Sequence, residues 1–425
     1  MQTPPGSDPW QETTTILARI KEPRFPNRDF NLASYNGDVN AAISAANAAG
    51  GGRVLVPSGN FLSAPIRLKS RVNLHLSEGA VLKFSTNAKD YLPVVFTRFE
   101  GTEVMNYSPF IYAFEQDDIA ITGAGVLDGQ ADAAHWWDWT RKAERNKLVG
   151  LASSGRPVPE RVFGEGGFLR PNFIQPYRCR NVFIEGITIR NSPMWEIHPV
   201  LCSNVIVRGV KIDSHGPNND GCNPESCRDV LIDRCTFDTG DDCIALKSGR
   251  NNDGRRLATP VENVIVRNCV MKDGHGGVTI GSEISGGARN IFVEGCRMDS
   301  PQLDRALRLK SNSQRGGVIE GIYMRNVTVG QVKEAIVSID FNYEEGDTGD
   351  FPPVVRNVEV RNVTSSKSQY ALYLRGFPRA VIHDVRLTDC TFQRVAKPDV
   401  IENVKDLVLT NVKVNGSATN QSITR

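Results

Sequence analysis

An internal repeat constrains this chain more than any other feature. From residue 181 onward a short pattern recurs: Asn or Asp, an aliphatic residue, any residue, an aliphatic, any residue, a turn-former, then Val, Ile or Cys. It begins at Asn181, Asn204, Asp229, Asn263, Asn290, Gly321, Asn357, Asp384 and Asp406, in steps of 23, 25, 34, 27, 31, 36, 27 and 22 residues. A weaker copy starts at Asp118. Aliphatic residues alternating with period two, as in Val205/Val207 and Val264/Val266, predict very short strands with one buried face. The sixth position is Gly186, Gly209, Asn268, Gly295, Asn326, Asn362, Asp389 or Asn411, with Arg234 the exception. Gly, Asn and Asp tolerate positive φ, so a one-residue left-handed bend is expected there.

Unequal repeats of short strands without intervening helices predict a solenoid whose coils tolerate loop insertions. Leucine-rich repeats lack their leucines here, and propeller blades would be longer and more even. The fold class expected is therefore all-β, a parallel β-helix. A 425-residue chain would ordinarily suggest about three domains. A continuous solenoid makes it one, spanning 1–425. Asp38 followed by Val-Asn-Ala-Ala-Ile-Ser-Ala-Ala reads as an N-capped helix over about 36–50, closing the N-terminal end. Residues 131–170, with Trp136, Trp137 and Trp139, break the pattern and read as a partly helical insert on the solenoid side.

The cysteines fit the same scheme. Cys235, Cys269, Cys296 and Cys390 share the seventh repeat position with Val and Ile, which marks them as small buried hydrophobes. Fifty Lys+Arg against 48 Asp+Glu exclude the strongly basic character of a nucleic-acid binder. No run approaches the roughly 20 apolar residues of a membrane span. The start Met-Gln-Thr-Pro-Pro has no basic, apolar leader, so an exported protein would have had its signal removed.

A solenoid turns sequence offsets into columns. Asp241 and His275 each lie twelve residues after their coil starts, Asp229 and Asn263, which stacks them at about 4.8 Å, the strand spacing. Asn218-Asn219-Asp220-Gly221, aligned with Thr239-Gly240-Asp241-Asp242, brings Asp220 into the Asp241 column. In Asp304-Arg-Ala-Leu-Arg-Leu-Lys310, period two sends Leu307 and Leu309 inward and Arg308 and Lys310 outward. Stacked acids repel, so at least one pKa should rise. A raised and an ordinary carboxyl side by side are the ingredients of glycoside hydrolysis, and the cations suit a substrate bearing carboxylates. An Asp-Asp pair or a His between glycines is by itself an ordinary turn. Their coincidence at matched offsets makes the site.

Asn218-Asn219-Asp220, Gly240-Asp241-Asp242, Gly274-His275-Gly276 and Arg308-Leu309-Lys310 together resemble the four motifs of the polygalacturonases, glycoside hydrolase family 28. Asn219 stands where Thr is usual and Leu309 where Ile is usual; neither is a proposed catalytic group. The resemblance implies a right-handed parallel β-helix that hydrolyses α-1,4-linked galacturonic acid in pectin with inversion. It makes Asp241 the general acid and has Asp220 and Asp242 activate the water. His275 would support the charge balance, while Arg308 and Lys310 hold substrate carboxylate. An inverting pair implies carboxyls roughly 6.5–9.5 Å apart. No metal or organic cofactor is required.

The stretch Gly274–Gly287 is more similar to bacterial exo-acting members than to fungal endo enzymes. The insert at 131–170 and the segment Asp340–Pro353, with Phe341, Tyr343, Glu344 and Glu345, could wall off one end of a cleft. Three alternatives stand beside this: rhamnogalacturonan hydrolysis, a calcium-dependent pectate lyase using the three Asp as cation ligands, and a non-catalytic carbohydrate-binding solenoid. The partner expected is an acidic poly- or oligosaccharide, not nucleic acid or membrane. A polymeric substrate implies a secreted or periplasmic protein.

Overall fold

The computed structural model describes residues 8–423, so the leader question at Met1–Pro5 lies outside them. The chain winds as a right-handed parallel β-helix. Each repeat contributes two strands to the coil wall, as in Arg180–Glu185 and Thr188–Arg190, then Ser203–Arg208 and Lys211–Ser214. Inward residues stack in register along the axis: Val182, Val205, Val230, Val264, Ile291, Ile322, Val358, Val385 and Leu407. Each such side chain, removed from water, contributes about 1.5–3 kcal/mol, repeated at every rung.

The expected bend is present: the sixth repeat position is left-handed throughout, with φ 77° at Gly186, 55° at Asn268 and 54° even at Arg234. The first position is left-handed as well, with φ 58° at Asn181, 55° at Asn204 and 57° at Asp229. That position also bonds between coils. Asn204 donates to Asn181 (2.7 Å), Asn181 to Asp118 (2.7 Å) and Asn290 to Asn263 (3.0 Å). Asn and Asp thus tolerate the bend and tie successive coils together. All nine cysteines are buried free thiols. Cys179, Cys202 and Cys227 form a second stack, two residues ahead of three coil starts; the N–H of Cys179 lies 3.4 Å from Cys202 Sγ, and that of Cys202 lies 3.4 Å from Cys227 Sγ.

The N-terminal lid is the helix Val39–Ala48, with Asp38 accepting from the Ala41 N–H at 3.0 Å. Its buried face, Val39, Ala42, Ile43 and Ala46, covers the core of the first coil. A helix not foreseen, Gln11–Arg19, lies along the outside of the wall. The middle repeat position is apolar in several coils, and Phe183, Ile206, Leu231, Ile265, Phe292 and Tyr323 form an external stripe. Trp10, Ile16 and Ile20 cover it. Trp10 packs edge-on to Phe292 at 5.3 Å beneath the Arg325 guanidinium at 3.8 Å. At the far end the strand Val404–Val414 is closed by antiparallel pairing with Ser417–Ile423. Among the described residues no helix is long and apolar enough to cross a membrane.

The insert contains the helix Lys142–Ser153, and Trp136 reaches the solenoid core. A further element completes the surface: the hairpin Val95–Phe99 and Thr102–Asn106, joined by Val162–Phe163, lies over the outer face of an early coil. Phe99, Val104, Leu148, Phe163 and Leu169 pack there against Met194 and Trp195, in the coil just before Asp220.

Candidate active site

The site lies on the outer face of the six-stranded sheet that contains Ile244–Leu246, Val278–Gly281 and Arg305–Lys310. The register Ile244–Val278–Leu307 brings Asp241 and His275 to one column, as the offsets predicted, and adds Asp304 to it. Close approach between coils fixes the turns. A Cβ on Gly240 would meet the Gly216 carbonyl at 2.3 Å, and one on Gly276 would meet Thr279 Oγ1 at 2.2 Å and Asp242 Oδ1 at 2.9 Å.

Asp220 corrects the alignment. Cys222 bridges Ile244, so Asp220 stands in register with Asp242, not Asp241. Ser214 pairs with Thr239, and between these paired points the earlier coil's turn, 215–221, is longer than 240–243. Aligning 218–221 with 239–242 therefore slips by one residue. Asn219, the departure from the usual Thr, is fully buried and staples that longer turn. Its Oδ1 accepts from Ser214 Oγ (2.7 Å) and the Gly216 N–H (2.8 Å), and its Nδ2 donates to the carbonyls of Ser192 (3.1 Å) and Met194 (3.3 Å).

All three carboxylates come together: an oxygen from each lies within 4.8 Å of those of the other two. That is closer than the roughly 6.5–9.5 Å expected of an inverting pair. The coil spacing sets it, because the acids sit on adjacent rungs and adjacent residues. Their exposures differ and decide their chemistry. The Asp241 side chain is 17% exposed, whereas Asp220 is 3% and Asp242 0%. Asp241 Oδ1 meets His275 Nδ1 at 2.9 Å and accepts from the Asp242 N–H at 2.9 Å. Asp220 Oδ2 accepts from Asn223 at 2.9 Å.

The two buried acids are pushed in opposite directions. Burial and then the Asp241 charge push the Asp220 carboxyl well up, against the pull of Lys247, whose Nζ lies 3.9 Å away. Burial would push Asp242 up too. Lys310 at 2.8 Å and Arg308 at 3.4 Å more than offset it and hold Asp242 well below the usual carboxylate range. The hydrogen bond to Asp241 outweighs burial at His275 and raises its pKa.

Arg308 and Lys310 point to the cleft side as expected, but they are not free cations. Both are ion-paired to Asp242, and Tyr343 lies under both at 5.6 and 5.1 Å. Only one Arg308 nitrogen is engaged by Asp242, so its other donors remain for a ligand. The three carboxylates have the geometry of a hard-cation site, yet Lys310 and Lys247 already supply positive charge against Asp242 and Asp220.

Several contributors were missed in the sequence. Lys247 pairs with Glu283 at 2.7 Å beside Trp195 (4.6 Å) and stays charged because Glu283, Asp220 and Asp242 outweigh its burial. It occupies the same place in Leu246-Lys247-Ser248 as Lys310 does in Leu309-Lys310-Ser311, so the alignment carried the signal. Thr279 donates to Asp242 Oδ1 at 2.8 Å. Arg170, from the end of the insert, clamps the loop before Asp220 through the carbonyls of Pro193 and Pro217 and Asn218 Oδ1.

Arg98 of the hairpin lies over the groove wall at Asp220's own coil. Its guanidinium is completely buried and bonds Glu225 at 2.9 Å. Glu225 Oε2 in turn meets His198 at 2.7 Å. His198 and Glu225 are outward-facing positions of the groove wall, and both have 0% exposure. The insert and the 340–353 segment also meet, Arg145 binding Glu344 at 3.0 Å. Phe341 takes no part in a wall; it is buried and packs on Phe377 at 5.8 Å.

One partly exposed carboxyl held by an imidazole, beside two buried carboxyls whose pKa values are pushed in opposite directions, defines a carboxylate-based glycoside hydrolase built on a β-helix. The family model "Glycosyl hydrolases family 28" matches residues 161–420, and the chain belongs to that family. It is 42% identical to the crystal structure of a hyperthermoactive exopolygalacturonase from Thermotoga maritima, covering 97% of this chain and 98% of that one with a TM-score of 0.94. A Vitis vinifera protein described as a "probable polygalacturonase" is 27% identical over 85% of this chain and 70% of its own length. An exo-poly-alpha-D-galacturonosidase of Dickeya chrysanthemi is 26% identical over 74% of this chain, which spans 58% of that relative.

Proposed function

We propose that the protein is an exo-acting polygalacturonase, which removes galacturonate from one end of α-1,4-linked galacturonan. The observation that carries exo action is Arg98 with its hairpin, filling the groove over Glu225 of Asp220's own coil and His198 of the coil before it. A chain end can reach Asp241; a chain interior cannot continue past it. The relatives named above support the substrate class.

In this reading Asp241, the exposed carboxyl, protonates the leaving glycosidic oxygen. Asp220 and Asp242 hold and deprotonate the attacking water, and the His275 imidazolium stabilises the Asp241 carboxylate left behind. Remaining donors of Arg308 and the edge of Lys310 meet the carboxylate of the sugar beyond the scissile bond. A polymeric acidic substrate puts this work in the periplasm or outside the cell.

The test is a time course on polygalacturonic acid, following reducing ends, viscosity and chain lengths together. Monomer from the first minutes with nearly constant viscosity is expected. A rapid viscosity drop with mixed oligomers would overturn exo action. An unsaturated, UV-absorbing product end would mean a lyase, and turnover of rhamnogalacturonan alone would change the substrate.

A further inference from the structure

The groove is blocked ahead of Asp220, so a bound chain extends over the coils that follow Arg308. Resting on the galacturonan reading, we infer that Tyr370, Tyr373, Arg375 and Lys397 form a distal subsite for the departing part of the chain. Strand register places them. Arg308 pairs with Ser338 and Ser338 with Tyr373; Lys310 pairs with Asp340 and Asp340 with Arg375. Tyr373 and Arg375 therefore face the same side as the two cations of the active site, two rungs on, about 10 Å away.

The chemistry there suits a uronate. Tyr370 and Tyr373 lie 5.4 Å apart at 57°, both partly exposed. Lys397 Nζ stands 5.5 Å over the Tyr370 ring, and Arg375 donates to Tyr373 Oη at 3.2 Å while Glu402 at 3.0 Å steadies it. Aromatic faces take the C–H face of a pyranose, and the neighbouring cations take its carboxylate. The rung between carries Asp340, a partly exposed acceptor for a sugar hydroxyl, while Ser338 is buried. Cation, acceptor and cation thus follow one another at a spacing of about one sugar per rung.

The experiment measures kcat/KM on galacturonate oligomers from dimer to hexamer. A dimer spans only the scissile bond and cannot reach Tyr373. For the unaltered enzyme kcat/KM should climb as the chain reaches the subsite. Tyr373→Ala should lose about fivefold to tenfold on tetramer and longer chains, the scale of one aromatic stacking contact, and stay within twofold on dimer. Tyr373→Phe, which keeps the ring, should restore the chain-length dependence. Equal losses on dimer and hexamer would mean a structural role and overturn the subsite, as would no loss at any length. An unaltered enzyme that hydrolyses none of these oligomers would instead overturn the galacturonan reading beneath it.

Discussion

His275 Nδ1 lies 2.9 Å from Asp241 Oδ1, and the His275 N–H donates to the Asp241 carbonyl at 3.1 Å. Side chain and backbone are thus both joined across one rung, the backbone bond setting the rung on which the imidazole meets Asp241. Asp241 is also the most exposed carboxyl of the three. Asp241→Asn should lower kcat by at least about 10²–10⁴-fold, the usual scale for a general acid, with the thermal midpoint nearly unchanged. Initial rates and a melting curve check this; near-normal turnover would remove Asp241 from the acid role.

The pH profile should carry two limbs. Asp220 must be ionised to deprotonate water, and its pKa is raised by burial and by Asp241. Activity should therefore fall with acidification at a pH above the ordinary Asp value of about 3.9. His275, raised by its bond to Asp241, must be protonated, so activity should be lost as pH rises through a value above about 6.5. His275→Asn should be slower and lack the alkaline limb. An alkaline limb unchanged in that variant would assign it to another group.

Lys310→Ala should act on stability as well as turnover. It leaves the fully buried Asp242 carboxylate without its 2.8 Å partner, and breaking one side of a buried pair costs about 3–5 kcal/mol. Asp242 has a depressed folded pKa, so the stability from its pairing is present above the unfolded pKa and lost as pH falls through the folded one. The loss in the variant should accordingly be full near neutral pH and shrink only below pH ~4, the unfolded value, so that it is smaller at pH ~2.5. Denaturant titrations at both pH values test it. Equal losses at both would show that Asp242 is not held ionised by Lys310.

The first product should be the inverted anomer, although the carboxylates stand closer than an inverting pair usually does. A sugar carbon cannot reach Asp242, which is 0% exposed, or Asp220, which is 3% exposed; the small opening at Asp220 admits a water molecule. Proton NMR of the nascent reducing end decides between the anomers, and retention would require one of the buried acids to be the nucleophile.

The coil wall was legible because each of its rules is local. Alternation gave the strands, the sixth position gave the bend, and the cysteines at the seventh fell into the core with Val and Ile. The column Asp241–His275 was legible because turns of equal length separate these residues from their strands. Asp220 was misplaced by a longer turn that Asn219 staples, and no propensity encodes that length. Lys247 was visible in the same alignment that exposed Lys310. The closing hairpin at Arg98 was not, since nothing in residues 95–106 announces which coil they will cover. The outer stripe from Phe183 to Tyr323 was hidden by reading its position as free to vary.

On the exo reading proposed above, the groove has a single mouth, and traffic through it is ordered. After cleavage the freed sugar sits behind the shortened polymer, between the polymer and the wall. The polymer must back out before the sugar can leave, and it re-enters only afterwards. Catalysis on such a groove proceeds one bite per encounter, without sliding along the chain.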